Sequence, residues 1–403
     1  MRETIFHILF WASSAFILYI YLGYAVLLAL LTRRRRSHVS AEPATLPHVS
    51  LLISAYNERR IIAEKLLNAL SLDYPQDRLE ILVISDCSDD GTDEIVGNFC
   101  TSSVRLIRLP ERVGKSVGLN VGVSQAIGDI LIFSDANAMY QSDAARELVK
   151  HFSDPGVGYV VGNARYSDRP EQTASAKSEG LYWKLETWLK WKESDFGSVV
   201  GGDGAIYAIR RDLFSPLQAT DINDLLNPLQ IVVRGYRGVY EPAAVCFEEA
   251  AQSFAGEFRR KVRIVSRSLN ALSRAPRVLV PWPQPRHWFA LVSHKVLRWF
   301  GSLFLILVFL ISSVQARHST IYRTALYLQL TFYILAAVGW TLERRGSAPR
   351  MFYLPYYFCM VNVASLVGIA KFLRGSLSPT WQTIREEAPA KRVSVVSRDT
   401  SLS

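Results

Sequence analysis

Residues 5–31 (IFHILFWASSAFILYIYLGYAVLLALL) hold no Asp, Glu, Lys or Arg across 27 positions. A helix needs about 20 apolar residues to cross a bilayer, so this stretch reads as a membrane span. It is longer than the apolar core of a cleaved signal peptide, and no small-residue cleavage site follows it. Arg33, Arg34, Arg35 and Arg36 follow instead. Arginines beside a span stay in the cytoplasm, which places the N-terminus outside and residue 33 onward inside. Residues 1–36 are therefore expected to be a transmembrane helix and its basic stop.

Three more apolar stretches come late: Trp288–Val314, broken by His294, Lys295 and Arg298, then Tyr322–Leu342 and Met351–Leu373. The prolines, tryptophans and cations of Pro281–Arg298 suit the membrane interface. Residues 281–373 are expected to form an interfacial helix and about three C-terminal transmembrane segments, with 374–403 as a tail. Four full crossings from an outside N-terminus would leave the C-terminus outside. The basic loop Glu343–Arg350 favours the inside, so one segment is expected to be re-entrant. The chain reads as a multi-pass protein of the plasma membrane.

The net charge of +10 does not mark a nucleic-acid binder. The basic residues gather at 33–36, 259–267 and 343–350, beside the spans, where they meet anionic headgroups, and no nucleic-acid module is present. Cys87, Cys100, Cys246 and Cys359 lack metal-binding spacing.

Residues 45–275 alternate short apolar runs with polar loops, an α/β pattern. His48–Ala55 reads as a buried strand, followed by a loop at Tyr56-Asn57-Glu58 and a helix over 59–71. Leu79–Ser85 reads as a second strand, ending at Asp86. Val104–Leu109 leads to Gly114-Lys115 and a helix over 116–127. Asp129–Ser134 ends at Asp135-Ala136-Asn137. Open parallel sheets bind ligands beyond the carboxyl ends of their strands, which is where Asp86 and Asp135 fall. Lys115 suits a phosphate. Asp135, with an oxygen two residues on, suits a hard divalent cation. Taken singly, each residue is as readily a helix cap or turn former; the case rests on the ordered set.

That set is Ala-Tyr-Asn-Glu (55–58), Asp-x-Ser-x-Asp-Gly-Thr (86–92), Gly-Lys-x-x-x-Leu-Asn (114–120) and Ser-Asp-Ala-Asn (134–137). It resembles the nucleotide-binding half of the family 2 glycosyltransferases, over roughly 48–385. The resemblance implies a GT-A fold, a Rossmann-like mixed sheet in a cytoplasmic domain, joined to transmembrane α-helices. It implies that Ala55, Tyr56, Glu58, Asp86 and Asp90 hold the nucleoside beside Lys115. It implies that Asp135 binds Mg²⁺ or Mn²⁺ on a diphosphate. Asn137 stands where the family usually has a second acid. An amide oxygen still ligates a hard cation but removes one negative charge.

Gly202, Asp203 and Gly204 lie in a glycine-rich run that resembles the family's acceptor floor, where absent side chains admit a sugar. An aspartate about ten residues before a Gly-Tyr segment resembles the family's catalytic base. Asp224, ahead of Gly235-Tyr236, is the match, with Asp221 as fallback. An inverting transfer needs one base for the acceptor hydroxyl, while the cation stabilises the leaving diphosphate. The processive members carry QxxRW where this chain has Arg260, Arg263 and Ile264. Arg260 and Arg263 are assigned to the diphosphate, and the missing Trp leaves processivity open. In Glu179–Glu193, Tyr182, Trp183, Trp188 and Trp191 either pave a sugar groove or pack. Ser376–Trp381 with Thr383, Ile384 and Arg385 resembles a tail that many relatives keep inside.

The resemblance thus implies a UDP-sugar donor and a glycan or lipid-linked acceptor. Membrane lipid and other polysaccharide-export subunits complete the partners it admits, and no nucleic acid is among them. Alternatives are a transferase that acts once on a lipid-linked acceptor, and a non-catalytic scaffold subunit of an export complex.

Overall fold

The computed structural model describes residues 2–32, 45–166, 174–248, 253–282, 284–345 and 349–380. Arg33–Arg36, Trp381, Thr383, Ile384 and Arg385 lie outside the described residues, as does the side chain of Tyr182.

Eight strands form one sheet in the order β3-β2-β1-β4-β7-β6-β8-β5. They are β1 (Val49–Ala55), β2 (Leu79–Ser85), β3 (Val104–Arg108), β4 (Ile130–Asp135), β5 (Met139–Tyr140), β6 (Val157–Tyr166), β7 (Tyr207–Arg210) and β8 (Arg237–Glu248). The first four run parallel; β7 joins β4 antiparallel, and β6 joins β7 antiparallel. β8 runs parallel to β6, and β5 pairs antiparallel with β8. The sheet is thus mixed, and β1, between β2 and β4, marks where strand order reverses.

All seven residues of β1 and of β2 are buried. Strands covered on both faces read as unbroken apolar runs, which is why these were legible. Leu51 and Ile53 face one core with Ile62 and Leu66, while Leu52 faces the other with Leu119 and Phe133.

The helices are α1 (Arg2–Leu18), α2 (Tyr24–Leu31), α3 (Ile62–Leu70), α4 (Thr92–Gly97), α5 (Lys115–Gln125), α6 (Ala144–Val149), α7 (Ala174–Phe196), α8 (Asn223–Val233) and α9 (Phe254–Arg274). After them come α10 (Pro285–Leu291), α11 (Leu297–Trp299), α12 (Gly301–Gln315), α13 (Thr320–Glu343) and α14 (Tyr353–Leu373). A π-turn at Tyr19–Gly23 joins α1 to α2. Among the described residues, Glu3–Leu31, Thr320–Glu343 and Tyr353–Leu373 are long and apolar enough to cross a membrane. Pro285–Trp299 and Gly301–Gln315 meet at 53° and pass as a bent pair. Phe16 stacks on Phe304 of α12 at 5.0 Å and Phe10 meets Tyr322 of α13 edge-on at 4.8 Å, so α1 packs against α12 and the start of α13.

The aromatics of α7 pack. Trp188 lies against the Tyr24–Leu28–Leu189 cluster, and Trp191 against the core over Phe133. Trp183 donates to the Ala164 carbonyl at 2.5 Å. One face of α7 instead carries charge. Glu193 accepts from Tyr24 at 2.8 Å and lies 2.6 Å from His294 Nδ1. Glu186 pairs with Lys295 and Arg298. These contacts tie the catalytic body to α2 and to the π-turn at Val292–Val296.

Glu241 in β8 is a buried carboxylate held by His151 Nε2 at 2.7 Å and Lys150 Nζ at 2.9 Å. Burial pushes its pKa up, but the His151 hydrogen bond, the Ala243 amide and Lys150 outweigh burial and hold it at about 2. A depressed carboxylate stabilises the fold above its unfolded value near 4.5, and that stability is lost as pH falls towards 2. Glu241→Gln is expected to cost about 2 kcal/mol at pH 7. Thermal unfolding should show the gap to wild type narrowing steadily below pH 4.5.

Candidate active site

The carboxyl ends of β1 and β4 open into a cleft of about 780 Å³. Glu58, Lys115, Asp135, Asn137, Gly204, Asp224, Arg260 and Arg263 line it together. Six segments separated by up to about 200 residues thus meet at one place, as expected at a strand-order reversal.

The other predicted residues stand behind this wall. Asp86, 2 % exposed, accepts from the Val113 amide at 2.8 Å and the Gly114 amide at 3.0 Å. It therefore shapes the turn that presents Lys115. Asp90 caps α4: it accepts from the Thr92 amide at 3.0 Å and from the Arg59 amide at 3.0 Å. Burial pushes its pKa up, but these hydrogen bonds pull it below the ordinary carboxylate range. Tyr56 supports the Arg112 guanidinium, 3.7 Å above its ring, and Arg112 lines the cleft. Ala55 ends β1 and is buried. Asp203 is paired with Lys190 at 2.7 Å, a buried ion pair one residue from Gly204.

Asp224 sits in the first turn of α8, at a helix N-terminus that favours an anion. The Gly-Lys motif helps put it there. Asn120 exchanges two hydrogen bonds with Leu217, at 2.7 and 2.9 Å, and Ser116 donates to the Asp221 carbonyl at 2.8 Å. α5 therefore holds the loop that delivers Asp224. On the far side the Gly202 amide donates to the Asp224 carbonyl. A Cβ on Gly202 would lie 2.9 Å from that carbonyl, so the approach requires glycine.

Asp224 Oδ1 is buried without a hydrogen-bond partner. Burial pushes the carboxyl up from its ordinary value, Lys115 opposes, and Asp203 and Asp135 add to the rise. Asp221 differs. Its carboxylate is taken by Arg274 at 2.6 Å, Asn270 at 3.2 Å and the Gln218 amide at 2.6 Å. It fixes α9 against the loop, which leaves Asp224 as the acid of the 221–224 pair without an ion-pair partner.

Lys115 Nζ pairs with Asp135. A Cβ on Gly204 would stand 3.5 Å from Asp224 Oδ2, 3.6 Å from Lys115 Nζ and 3.7 Å from Asp135 Oδ2. The glycine thus leaves a small hollow ringed by two carboxylates and an ammonium. Glu248, at the end of β8, lines the same cleft and was not singled out from sequence. Burial first, then Asp135 and Asp203, pushes its carboxyl up to about 8. Acids crowded enough to resist ionisation suit a cation, and the hard oxygen donors suit Mg²⁺ or Mn²⁺. Asp135 and Asn137 would contribute to such a site, with substrate phosphates and water completing it. Opposite them, Arg263 has no hydrogen bond or ion pair among the described residues, although burial and neighbouring Arg260 disfavour its charge. Arg260 is anchored by Glu257 at 2.7 Å. A half-buried guanidinium without a counter-charge suits an anionic ligand.

The wall is closed by the segment that follows α14. Arg267 donates to the Ser378 and Pro379 carbonyls at 2.5 and 2.9 Å. The Pro379 carbonyl lies against Gly114, whose φ of +93° and missing Cβ make room for it. The sequence signal for Lys65 was absent too. It looks like a surface residue of α3, yet is fully buried, and it donates to the Ala138 carbonyl beneath the Asp135–Asn137 turn.

The family model for glycosyl transferase family 2 matches residues 50–215. Those residues are a family 2 glycosyltransferase domain. The match takes in every nucleotide motif and ends before Asp224. The chain is 30 % identical over 236 residues to the probable glycosyltransferase YdaM of Bacillus subtilis (strain 168), covering 54 % of each chain. It is 28 % identical over 222 residues to poly-beta-1,6-N-acetyl-D-glucosamine synthase of Staphylococcus aureus (strain COL), covering 53 % of each. The chain thus spans about half the length of the curated relatives it matches. The mannosyltransferase PcManGT of Pyrobaculum calidifontis, solved with GDP-Man and Mn²⁺, superposes with a TM-score of 0.70. That likeness covers 91 % of this chain and 99 % of that one at 22 % identity. The glycosyltransferase domain therefore has the GT-A fold.

Proposed function

We propose that the chain is a membrane-bound, metal-dependent, inverting transferase that moves a sugar from a UDP-sugar to a growing glycan of an exported polysaccharide. One observation carries this reading. Asp224 keeps one carboxylate oxygen, Oδ1, buried and unpartnered, and sets the other, Oδ2, at the Gly204 hollow opposite Lys115 and Asp135. A single base thus faces the place where a diphosphate leaving group is held. Its raised affinity for protons makes it a better base for an acceptor hydroxyl. A bound divalent cation supplies positive charge for the departing diphosphate. Lys115, Arg260 and Arg263 add fixed positive charge around the same group. Among the described residues, Asp135 is paired with Lys115 and Asp221 with Arg274, which leaves Asp224 as the base this reading assigns to direct displacement, and hence to inversion.

The packing also supports an inside placement for both the catalytic body and the end of α14. Phe254 of α9 meets Tyr356 of α14 at 4.6 Å, and Gly368 lies against Val265. α14 thus follows α9 back to the cleft. A topology with α1, the bent α10–α12 pair and α13 as crossings and α14 returning on the cytoplasmic side would keep the basic 343–350 loop and the end of α14 inside.

Ile264 in the cleft wall favours a second reading, a single transfer to a lipid-linked acceptor, because processive relatives carry Trp there. Product analysis separates the two. Purified protein with a labelled UDP-sugar should give a β-linked product ladder. Single additions favour the second reading, and an α-linked product would overturn inversion.

A further inference from the structure

The turn after β4 carries Asp135 and Asn137, one carboxylate where a cation bound with a diphosphate commonly has one or two. Asp135 also shares its charge with Lys115. The sheet brings another acid to this edge. β5 pairs antiparallel with β8, Met139 opposite Phe247 and Tyr140 opposite Cys246. In that register the residue after Phe247 stands beside the residue before Met139, so Glu248 is delivered next to the Asp135–Ala138 turn. Strand alternation places it on the same face as Cys246, away from exposed Phe247.

The turn is fixed in place from below. Lys65 donates to the Ala138 carbonyl, and Asn68 exchanges two 2.8 Å hydrogen bonds with the Tyr140 backbone. Of the other cleft acids, Glu58 stands on the loop after β1, Asp221 is held by Arg274 and Asp224 is assigned to the acceptor side. Behind the wall, Asp203 is held by Lys190 and Glu257 by Arg260 and Lys261. Glu248 lines the cleft with Asp135 and Asn137 and has no hydrogen bond or ion pair among the described residues.

We propose that Glu248 supplies, from β8, the carboxylate that Asn137 lacks, and serves as the second acidic group towards a divalent cation on the nucleoside diphosphate. The assignment rests on the metal-dependent reading above. It makes Glu248 and position 137 interchangeable sources of one negative charge.

A double-mutant cycle on the purified full chain tests this, with Mn²⁺ affinity in the presence of UDP read from the spin resonance of free Mn²⁺. E248Q is expected to weaken Mn²⁺ binding about 10-fold or more. N137D in the E248Q background should restore it to within about 3-fold of wild type, whereas N137D alone should change it little. E248Q is close in shape to Glu, and thermal unfolding reports whether it folds. Should it not fold, N137D in E248D serves as the second cycle. Wild-type affinity in E248Q, or equal gains from N137D in both backgrounds, overturns the role of Glu248. Wild-type protein that binds no Mn²⁺ with UDP overturns the metal-dependent reading itself, and the role of Glu248 with it.

Discussion

Asp224→Asn should reduce sugar transfer at least about 10³-fold, in kcat, while UDP affinity stays within about twofold of wild type. General-base catalysis is commonly worth about 10²–10⁴-fold, and the nearest acids of the same loop and of the Gly202–Gly204 run are already paired. Asp221 is engaged by Arg274, and Asp203 by Lys190. The amide fits the same space, so the first turn of α8 and its contact with Gly202 should persist. The change also relieves repulsion from Asp203 and Asp135, which with burial raises the Asp224 pKa. Transfer assays with a labelled donor, beside calorimetry with UDP, separate chemistry from binding. The sign of the pH dependence follows. A base must be ionised, so wild-type turnover should fall on the acid side of a pKa lying above the ordinary aspartate value, and the residual activity of Asp224→Asn should lack that limb. Asp221→Asn is the contrast. It loosens α9 from the 217–224 loop and should lower the unfolding temperature before it lowers kcat.

Asp135→Ala should weaken Mn²⁺-dependent UDP binding more than about 100-fold. Loss of even an outer partner of a metal ligand costs about 10–100-fold, and Asp135 is assigned to the cation directly. Its removal also releases Lys115 from its ion pair, so the ammonium keeps more of its charge for the nucleotide. Metal-independent UDP binding should therefore survive in the variant. Calorimetry with and without Mn²⁺ measures both. Equal Mn²⁺ dependence in Asp135→Ala and wild type would remove Asp135 from the metal site.

Much of this arrangement is readable from local sequence because it depends on local rules. Buried parallel strands must be apolar throughout, and the acids that follow them lie at the ligand edge; Asp135 and Lys115 were expected there, and the structure brings both to the cleft. Asp224 was expected from its spacing to Gly235-Tyr236, and the structure puts it in the cleft lining while Arg274 holds Asp221. What stayed hidden depends on pairing between distant segments. Glu248 obeys the same strand-end rule as Asp86 and Asp135, but its meaning appears only when β5 is laid against β8. Lys65 looks like a solvated helix residue until the Ala138 carbonyl is found above it. Trp188 and Trp191 suggested a sugar groove by composition, yet they pack against α2 and the sheet. The contact of Pro379 with Gly114 joins residues 265 positions apart, beyond any local pattern.

Nucleotide release by membranes carrying the chain tests the transferase reading most directly. With a panel of UDP- and GDP-sugars, at least one UDP-sugar should release UDP only when Mg²⁺ or Mn²⁺ is present, and Asp224→Asn should abolish the release. Binding of UDP with Mn²⁺ but no release from any donor would instead identify a scaffold, and release from GDP-sugars alone would contradict the assigned donor.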